Sequence, residues 1–419
     1  MKESFDDLWI WRESELSGRL LWYRCVASNR APAKFRICNR IPVALDLEHA
    51  TEEALVRELD AKTQEFLALW QCIRSGEALP AGPRPNPSLL DLCRELAKRW
   101  LRHCNFCRWD CQVDRLAATH FGACKLGAET RVSTYFHHGG EELIYRGRLG
   151  SGTIFFTSCN MRCAFCQNGD ISTDRLNGQA VTARTLAAMA WLLRMEGCHN
   201  VNWVGGEATI HLHTIIEAIS LLEDFEPEAS GLRAALPVKA DHYFRFPART
   251  ENSVYAGKFN APMLWNSNFF MSELAMKILR LTMDVWLPDF KFGPGRCAVE
   301  LAKTPWYWET VTANLKALHA WGEDVTIRHL IMPEHVECCT RPVLEWIAEN
   351  VPDVPVNVMD QYHPNNFCEP GSAKFRDKYQ PIARPCTPRE IRLAYRYAKD
   401  LGVLFEALSY EKNSTGVTL

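Results

Sequence analysis

Thr153-Ile-Phe-Phe-Thr-Ser-Cys159-Asn-Met-Arg-Cys163-Ala-Phe-Cys166 decides how the rest of this chain reads. The run from Thr153 to Thr157 is β-branched and aromatic, which suits a strand, and three thiols spaced three and two residues apart follow it directly. Iron-sulfur cubanes are normally held by four thiolates, so a loop with three leaves one iron able to take a ligand from a substrate or cofactor. An open iron implies chemistry and not only electron storage.

Strands of the same kind recur further along. Beyond Thr153–Thr157 they are expected at Val201–Val204, Met263–Asn266, Asp284–Asp289, Thr326–Met332 and Val356–Gln361, with helices near 181–195, 211–223, 272–281, 306–321, 340–349 and 388–401. Strands alternating with helices build a parallel sheet, and six βα units in series predict an α/β fold, a partial (β/α)6 barrel. In such barrels the active site lies at the C-terminal ends of the strands. The polar motifs obey this rule: Gly205-Gly206-Glu207 follows the second strand, Asn266-Ser267-Asn268 ends the third and Asp289-Phe-Lys291 ends the fourth. Arg328 and His329 lie within the fifth strand, and Asp360-Gln361-Tyr362 closes the sixth. Gly231 to Asn260 fits no unit and reads as an insertion.

The Cys-x3-Cys-x2-Cys spacing, with Phe165 before the last thiol, resembles the cluster loop of the radical S-adenosylmethionine (radical SAM) superfamily. The resemblance implies that Cys159, Cys163 and Cys166 bind a 4Fe-4S cluster whose open iron chelates S-adenosylmethionine. Reductive cleavage then gives methionine and a 5'-deoxyadenosyl radical that takes hydrogen from a substrate, the protein supplying binding and shielding. Gly205, Gly206 and Glu207 resemble the glycine-glycine-glutamate motif that binds the amino group of S-adenosylmethionine in this family; glycines admit close backbone approach and a carboxylate pairs with an ammonium. Asp289 and Lys291, on one face of a strand, resemble an aspartate-x-lysine pair of glycyl-radical activating enzymes, and Arg328 matches an arginine that binds the cofactor carboxylate there. The wider pattern, covering residues of about 100 to 405, is similar to a branch labelled pyruvate formate-lyase activating enzyme-like. Asn266 departs from it, because activating enzymes commonly carry a cation-binding aspartate at that place. The family implies a reduced ferredoxin or flavodoxin as electron donor and allows a protein substrate. No catalytic side chain beyond the cluster ligands is assigned.

Cys104, Cys107, Cys111 and Cys124 form a second constellation, four potential ligands within 21 residues. Four thiolates can close a tetrahedral zinc or iron site or hold an auxiliary cluster, with His103 or His120 as substitutes for a thiol. Cys338-Cys339 reads by default as packing, since adjacent cysteines rarely bridge each other without strain. His137-His138 and Glu141-Glu142, just before the first strand, read by default as a solvated loop, with a place facing the same cavity as the alternative.

The chain has 419 residues, 47% hydrophobic and 23% charged, enough to bury a large core. A net charge of −2 supplies no field that favours nucleic acid or an anionic membrane. Met1-Lys-Glu-Ser-Phe-Asp-Asp is acidic and no long apolar run follows, so neither a signal peptide nor a membrane span is expected, and the expected location is the cytoplasm. Seventeen cysteines then read as metal ligands before disulfides. Residues 1–88 are expected to form a helical extension with helix 51–76 and a Pro-rich linker, 89–150 a cysteine-rich module, 151–405 the barrel and 406–419 a tail. The rival reading is a non-catalytic zinc or iron-sulfur protein for electron transfer, and it would gain if Cys198 completed the Cys159–Cys166 site as a fourth thiol.

Overall fold

In the computed structural model, which describes residues 5–225 and 253–419, all six expected strands form. The strands in chain order are β1 (Thr130–His138), β2 (Ser151–Phe156), β3 (Gln179–Val181), β4 (Val201–Gly205), β5 (Val254–Tyr255) and β6 (Lys258–Phe259). They continue as β7 (Met263–Ser267), β8 (Val285–Pro288), β9 (Ile327–Leu330) and β10 (Val356–Met359). One sheet has the order β3-β1-β2-β4-β7-β8, and β9 pairs with β10. The β2-β4, β4-β7, β7-β8 and β9-β10 pairs are parallel, as serial βα units require. Two parallel bridges, Trp286 to Val325 and Asp289 to Arg328, carry the sheet on from β8 to β9.

Two strands of the larger sheet were not expected. β1 runs antiparallel to β2, with His138 opposite Ser151 and Val132 opposite Phe156, and β3 pairs antiparallel on its outer edge. The sheet is therefore mixed, and β1 comes from the stretch read as part of the cysteine-rich module. Helices Ala183–Met195, Leu212–Leu221, Glu273–Arg280, Tyr307–Ala320, Arg341–Asn350 and Pro388–Asp400 fall where their periodicity places them. Of the expected insertion, residues up to 252 lie outside the described part, and its remaining residues hold β5 and β6, which form a small hairpin.

The two faces of the strands bury different partners, as a period of two dictates. Trp265 and Trp286 belong to the main core under the helices, whereas Leu264, Val285 and Leu287 pack with Phe5, Ile10, Trp11, Leu16, Leu20 and Tyr23. The N-terminal segment thus lies inside the curve of the sheet. It is fastened at the strand beginnings: Trp22 Nε1 and the Lys34 amide donate to Asp284 (2.8 and 2.9 Å), and the Tyr23 amide donates to Asp324 (2.8 Å). Lys34 and Glu323 make a buried ion pair of 2.5 Å beside them. The main core draws on residues from Trp22 to Phe405 and runs across the expected boundaries at 88 and 150. The tail packs too, since Ser409 Oγ accepts from the Val358 amide of β10 (2.9 Å). Among the described residues no helix is long and apolar enough to cross a membrane.

Candidate functional site

At the C-terminal ends of the strands lies a cavity of about 370 Å³, and each expected motif reaches it from its own strand end. Cys159, Cys163 and Cys166 follow β2, Gly205–Glu207 follow β4, Asn266–Asn268 follow β7, and Asp289 and Lys291 follow β8. Arg328 of β9 and Gln361 beyond β10 complete the ring.

Cys159 is buried in the wall, and Cys163 and Cys166 are half-buried there. Burial pushes the Cys163 thiol up to about 12, and burial likewise raises Cys159 and Cys166. Three donors already point at the sulfurs: the Met161 amide at Cys159 (3.3 Å), Asn268 Nδ2 at Cys159 (3.6 Å) and Ser172 Oγ at Cys166 (3.3 Å). The loop itself is pinned by the helix Cys297–Ala302, whose Ala302 and Leu301 carbonyls accept from the Arg162 and Ala164 amides (2.9 and 2.7 Å).

The two glycines have a structural reason stronger than cofactor approach. Gly205 has φ +122°, and a Cβ there would stand 2.2 Å from the Phe156 nitrogen; at Gly206 it would stand 1.8 Å from the Ser158 oxygen. Any other residue would push β4 off the cysteine loop. Glu207 is buried, which raises its carboxyl, and it accepts four hydrogen bonds: from the Thr209 amide and hydroxyl, Ser267 Oγ and the Asn268 amide. It therefore joins the ends of β4 and β7.

Asp289 and Lys291 do share a face and form a short ion pair. Burial opposes charge on Lys291, but Asp289 outweighs it and raises the ammonium, which also feels Cys163. Tyr307 holds this strand end in shape, its hydroxyl donating to the Asp289 carbonyl (2.8 Å) and accepting from the Lys291 amide (3.0 Å). Arg328 faces the cavity but is committed: its Nε donates to Glu142 (2.8 Å) and its Nη2 donates to both Glu142 and Glu141. Both glutamates are buried, and against the upward push of burial Arg328 holds both carboxyls low.

Glu141 and Glu142 are thus not the solvated loop expected. They line the cavity with His138, while His137 turns away to the Leu149 carbonyl and Glu196. Two adjacent acids just ahead of the cysteine-bearing strand were the available signal. Nothing in the sequence marks Tyr307, which lies sixteen residues from Lys291 and reaches it only through the fold.

The second cysteine group comes into one neighbourhood. A hydrogen bond with Cys111 draws the Cys104 thiol down to about 6, and Cys107, pushed up to about 12 by burial, feels both Cys124 and Cys104. It abuts the cluster loop, because Ser158 Oγ donates to the Cys124 carbonyl (2.6 Å) and Trp109 Nε1 to the Asn160 carbonyl (2.7 Å). His103 is taken by Glu52 (2.9 Å), and His120 is exposed beside Thr119 (3.3 Å).

Residues 153–347 match the profile of the Radical SAM superfamily. A protein of Methanocaldococcus jannaschii, uncharacterized protein MJ0674, is 32% identical over 394 residues, 90% of this chain and 98% of the relative. Residues 153–347 are a radical SAM domain. Among solved structures, Streptococcus suis SuiB bound to S-adenosylmethionine matches at 13% identity over 58% of this chain and 45% of that chain, TM-score 0.38. Native anSMEcpe with bound AdoMet matches at 12% identity over 59% of this chain and 61% of that chain, TM-score 0.38. In both cases the match spans less than two thirds of the solved chain.

A radical SAM domain implies a 4Fe-4S cluster and S-adenosylmethionine, and the site suits them. Among the described residues the only cysteines lining the cavity are Cys159, Cys163 and Cys166, so one iron of a bound cluster would keep an open position. Cys198 does not complete the set: it is buried at the far end of β2, where a Cβ on Gly152 would stand 3.1 Å from it.

Proposed function

We propose that this protein is a radical SAM enzyme on a six-stranded partial barrel that takes a hydrogen atom from a substrate held at the cavity mouth. The observation that carries the reading is the convergence of a three-thiol loop on the glycine-glycine-glutamate turn and the Asp289-Lys291 pair, with no fourth cysteine among the described residues that line the cavity. When bound, the cluster and S-adenosylmethionine supply an electron and a 5'-deoxyadenosyl radical.

The chain's own residues bind, orient and shield. Cys159, Cys163 and Cys166 would hold the cluster, and Met161, Asn268 and Ser172 donate hydrogen bonds that tune its sulfurs. Lys291, close enough to feel Cys163, offsets the negative charge of a thiolate-ligated group. Gly205, Gly206 and Glu207 would meet the cofactor's amino group with Asp289, and Arg328, which lines the same cavity, would meet its carboxylate by sharing the guanidinium now held by Glu141 and Glu142. Phe155, Met161 and Phe165 line the cavity and limit water around it. A cavity of about 370 Å³ lies at the small end for ligand sites, so the cofactor fills much of it. That favours a substrate that inserts a narrow group from outside, such as a protein side chain or backbone segment. The electron would come from a reduced ferredoxin or flavodoxin, and Cys104, Cys107, Cys111 and Cys124 would hold a second metal or cluster against the loop.

Anaerobic reconstitution with iron and sulfide, reduction, and assay of 5'-deoxyadenosine tests the reading. Wild type should form the product and Cys163→Ala should not. A fully reducible cluster that yields none with S-adenosylmethionine bound overturns it.

A further inference from the structure

Cys297, His335, Cys338 and Cys339 bring three sulfurs and an imidazole nitrogen together, all within 4.8 Å of one another, and no other such group occurs among the described residues. They stand outside the cavity lining. His335 Nδ1 lies 3.2 Å from Cys338 Sγ, 3.5 Å from Cys297 Sγ and 4.0 Å from Cys339 Sγ. Cys338 Sγ lies 3.6 Å from Cys297 Sγ and 4.0 Å from Cys339 Sγ. With zinc–sulfur bonds of about 2.3 Å and zinc–nitrogen bonds of about 2.0 Å, a tetrahedral site has sulfur–sulfur edges of about 3.8 Å and sulfur–nitrogen edges of about 3.5 Å. The four atoms already stand close to the corners of that tetrahedron.

Hydrogen bonding does not account for the arrangement. One imidazole nitrogen has a single lone pair or a single proton, yet three sulfurs converge on it. A disulfide would use two of the thiols and leave the third and the imidazole without a role. A single cation satisfies all four, and three thiolates with one imidazole are a structural zinc set.

The backbone is shaped for this convergence. His335 precedes a single π-helical turn, Val336–Thr340, in which the His335 carbonyl accepts from the Cys339 and Thr340 amides (2.9 and 3.2 Å). The extra residue in the turn lets both adjacent cysteines reach the same side as His335. Cys297 begins the helix that follows β8, and Gly293 lets the two segments meet, since a Cβ there would stand 2.1 Å from the Cys338 carbonyl.

We propose that these four residues bind one structural zinc ion, which staples the loop after β8 to the loop after β9. The thiol protons leave to solvent as the metal binds, and no electron moves. The site is independent of the radical chemistry and is tested without it.

The test uses the full chain with Cys159, Cys163 and Cys166 all replaced by Ala, so that no cluster iron is counted. Zinc content is measured with and without the added pair Cys297→Ser and Cys338→Ser. The expected loss is one zinc per chain, together with the visible absorption of one tetrahedral thiolate-bound cobalt when cobalt is the probe. Equal zinc in both proteins overturns the proposal. Alkylation of wild type by iodoacetamide guards against misfolding of the variant. Cys338 is exposed and Cys297 half-buried, and both should resist the reagent with zinc and react after chelation. Equal reaction in the two states also overturns the site.

Discussion

Arg328 meets two buried carboxylates, and each of these has a further partner: Asn357 Nδ2 donates to Glu142 (2.7 Å) and Asn202 Nδ2 to Glu141 (3.0 Å). Removing the guanidinium strands two desolvated negative charges, and losing one partner of such a network typically costs about 3–5 kcal/mol. Arg328→Met should therefore lower the unfolding free energy of the cofactor-free protein in urea by that amount, and adding Glu141→Gln with Glu142→Gln should recover much of it. A loss below about 1 kcal/mol would show that the pair contributes no more than an exposed one. Sequence spacing put Arg328 at the right strand end, but only the fold reveals what it holds. The same contrast applies to Glu207, whose position was legible and whose four donors were not, because Ser267 and Asn268 lie about sixty residues further along.

The short helix Cys297–Ala302 connects two loops with different tasks. Its first residue belongs to the three-sulfur group and its last carbonyls hold the Arg162 and Ala164 amides on either side of Cys163. A helix of six residues has little stability of its own, so its ends must be held by tertiary partners. Chelating zinc should then speed amide exchange across Arg162–Ala164 roughly tenfold, equivalent to about 1.4 kcal/mol of local opening. Hydrogen exchange on the peptide covering Cys159–Cys166 measures it, and an unchanged rate would mean that packing alone fixes the helix. The longer helices needed no such help to be found, since amphipathic periodicity, the Thr387–Glu390 capping box and the Thr51 cap mark them locally. β1 escaped notice because its pairing partner β2 lies beyond a turn and a short helix, and its burial alternates only through that pairing.

At the scale of the whole molecule, the N-terminal segment packs at the end of the sheet opposite the cysteine loop and is held by acids at the strand beginnings. Burial lifts Asp324 to about 7 and Asp284 to about 6, with Lys34, Glu323 and Arg74 as the charges around Asp324. Asp324 is raised above its unfolded value of 3.8, so its contribution to stability is complete below about pH 4 and is lost as pH rises through about 7. The unfolding free energy of wild type should fall relative to Asp324→Asn by on the order of 4 kcal/mol between about pH 4 and pH 8. Parallel pH profiles for the two proteins would remove Asp324 as the cause.

The sequence alone determined the order of six parallel strands, the helices between them and the ring of motifs at the strand ends, because each depends on local periodicity and on residues close to one another in the chain. Tertiary structure decided the rest. The antiparallel β1, the place of the N-terminal segment inside the sheet, the capture of Arg328 by Glu141 and Glu142 and the meeting of Cys297 with His335 all join positions far apart in sequence. Such contacts form only when the chain closes on itself, and burial then makes their charge and hydrogen-bond pairing obligatory.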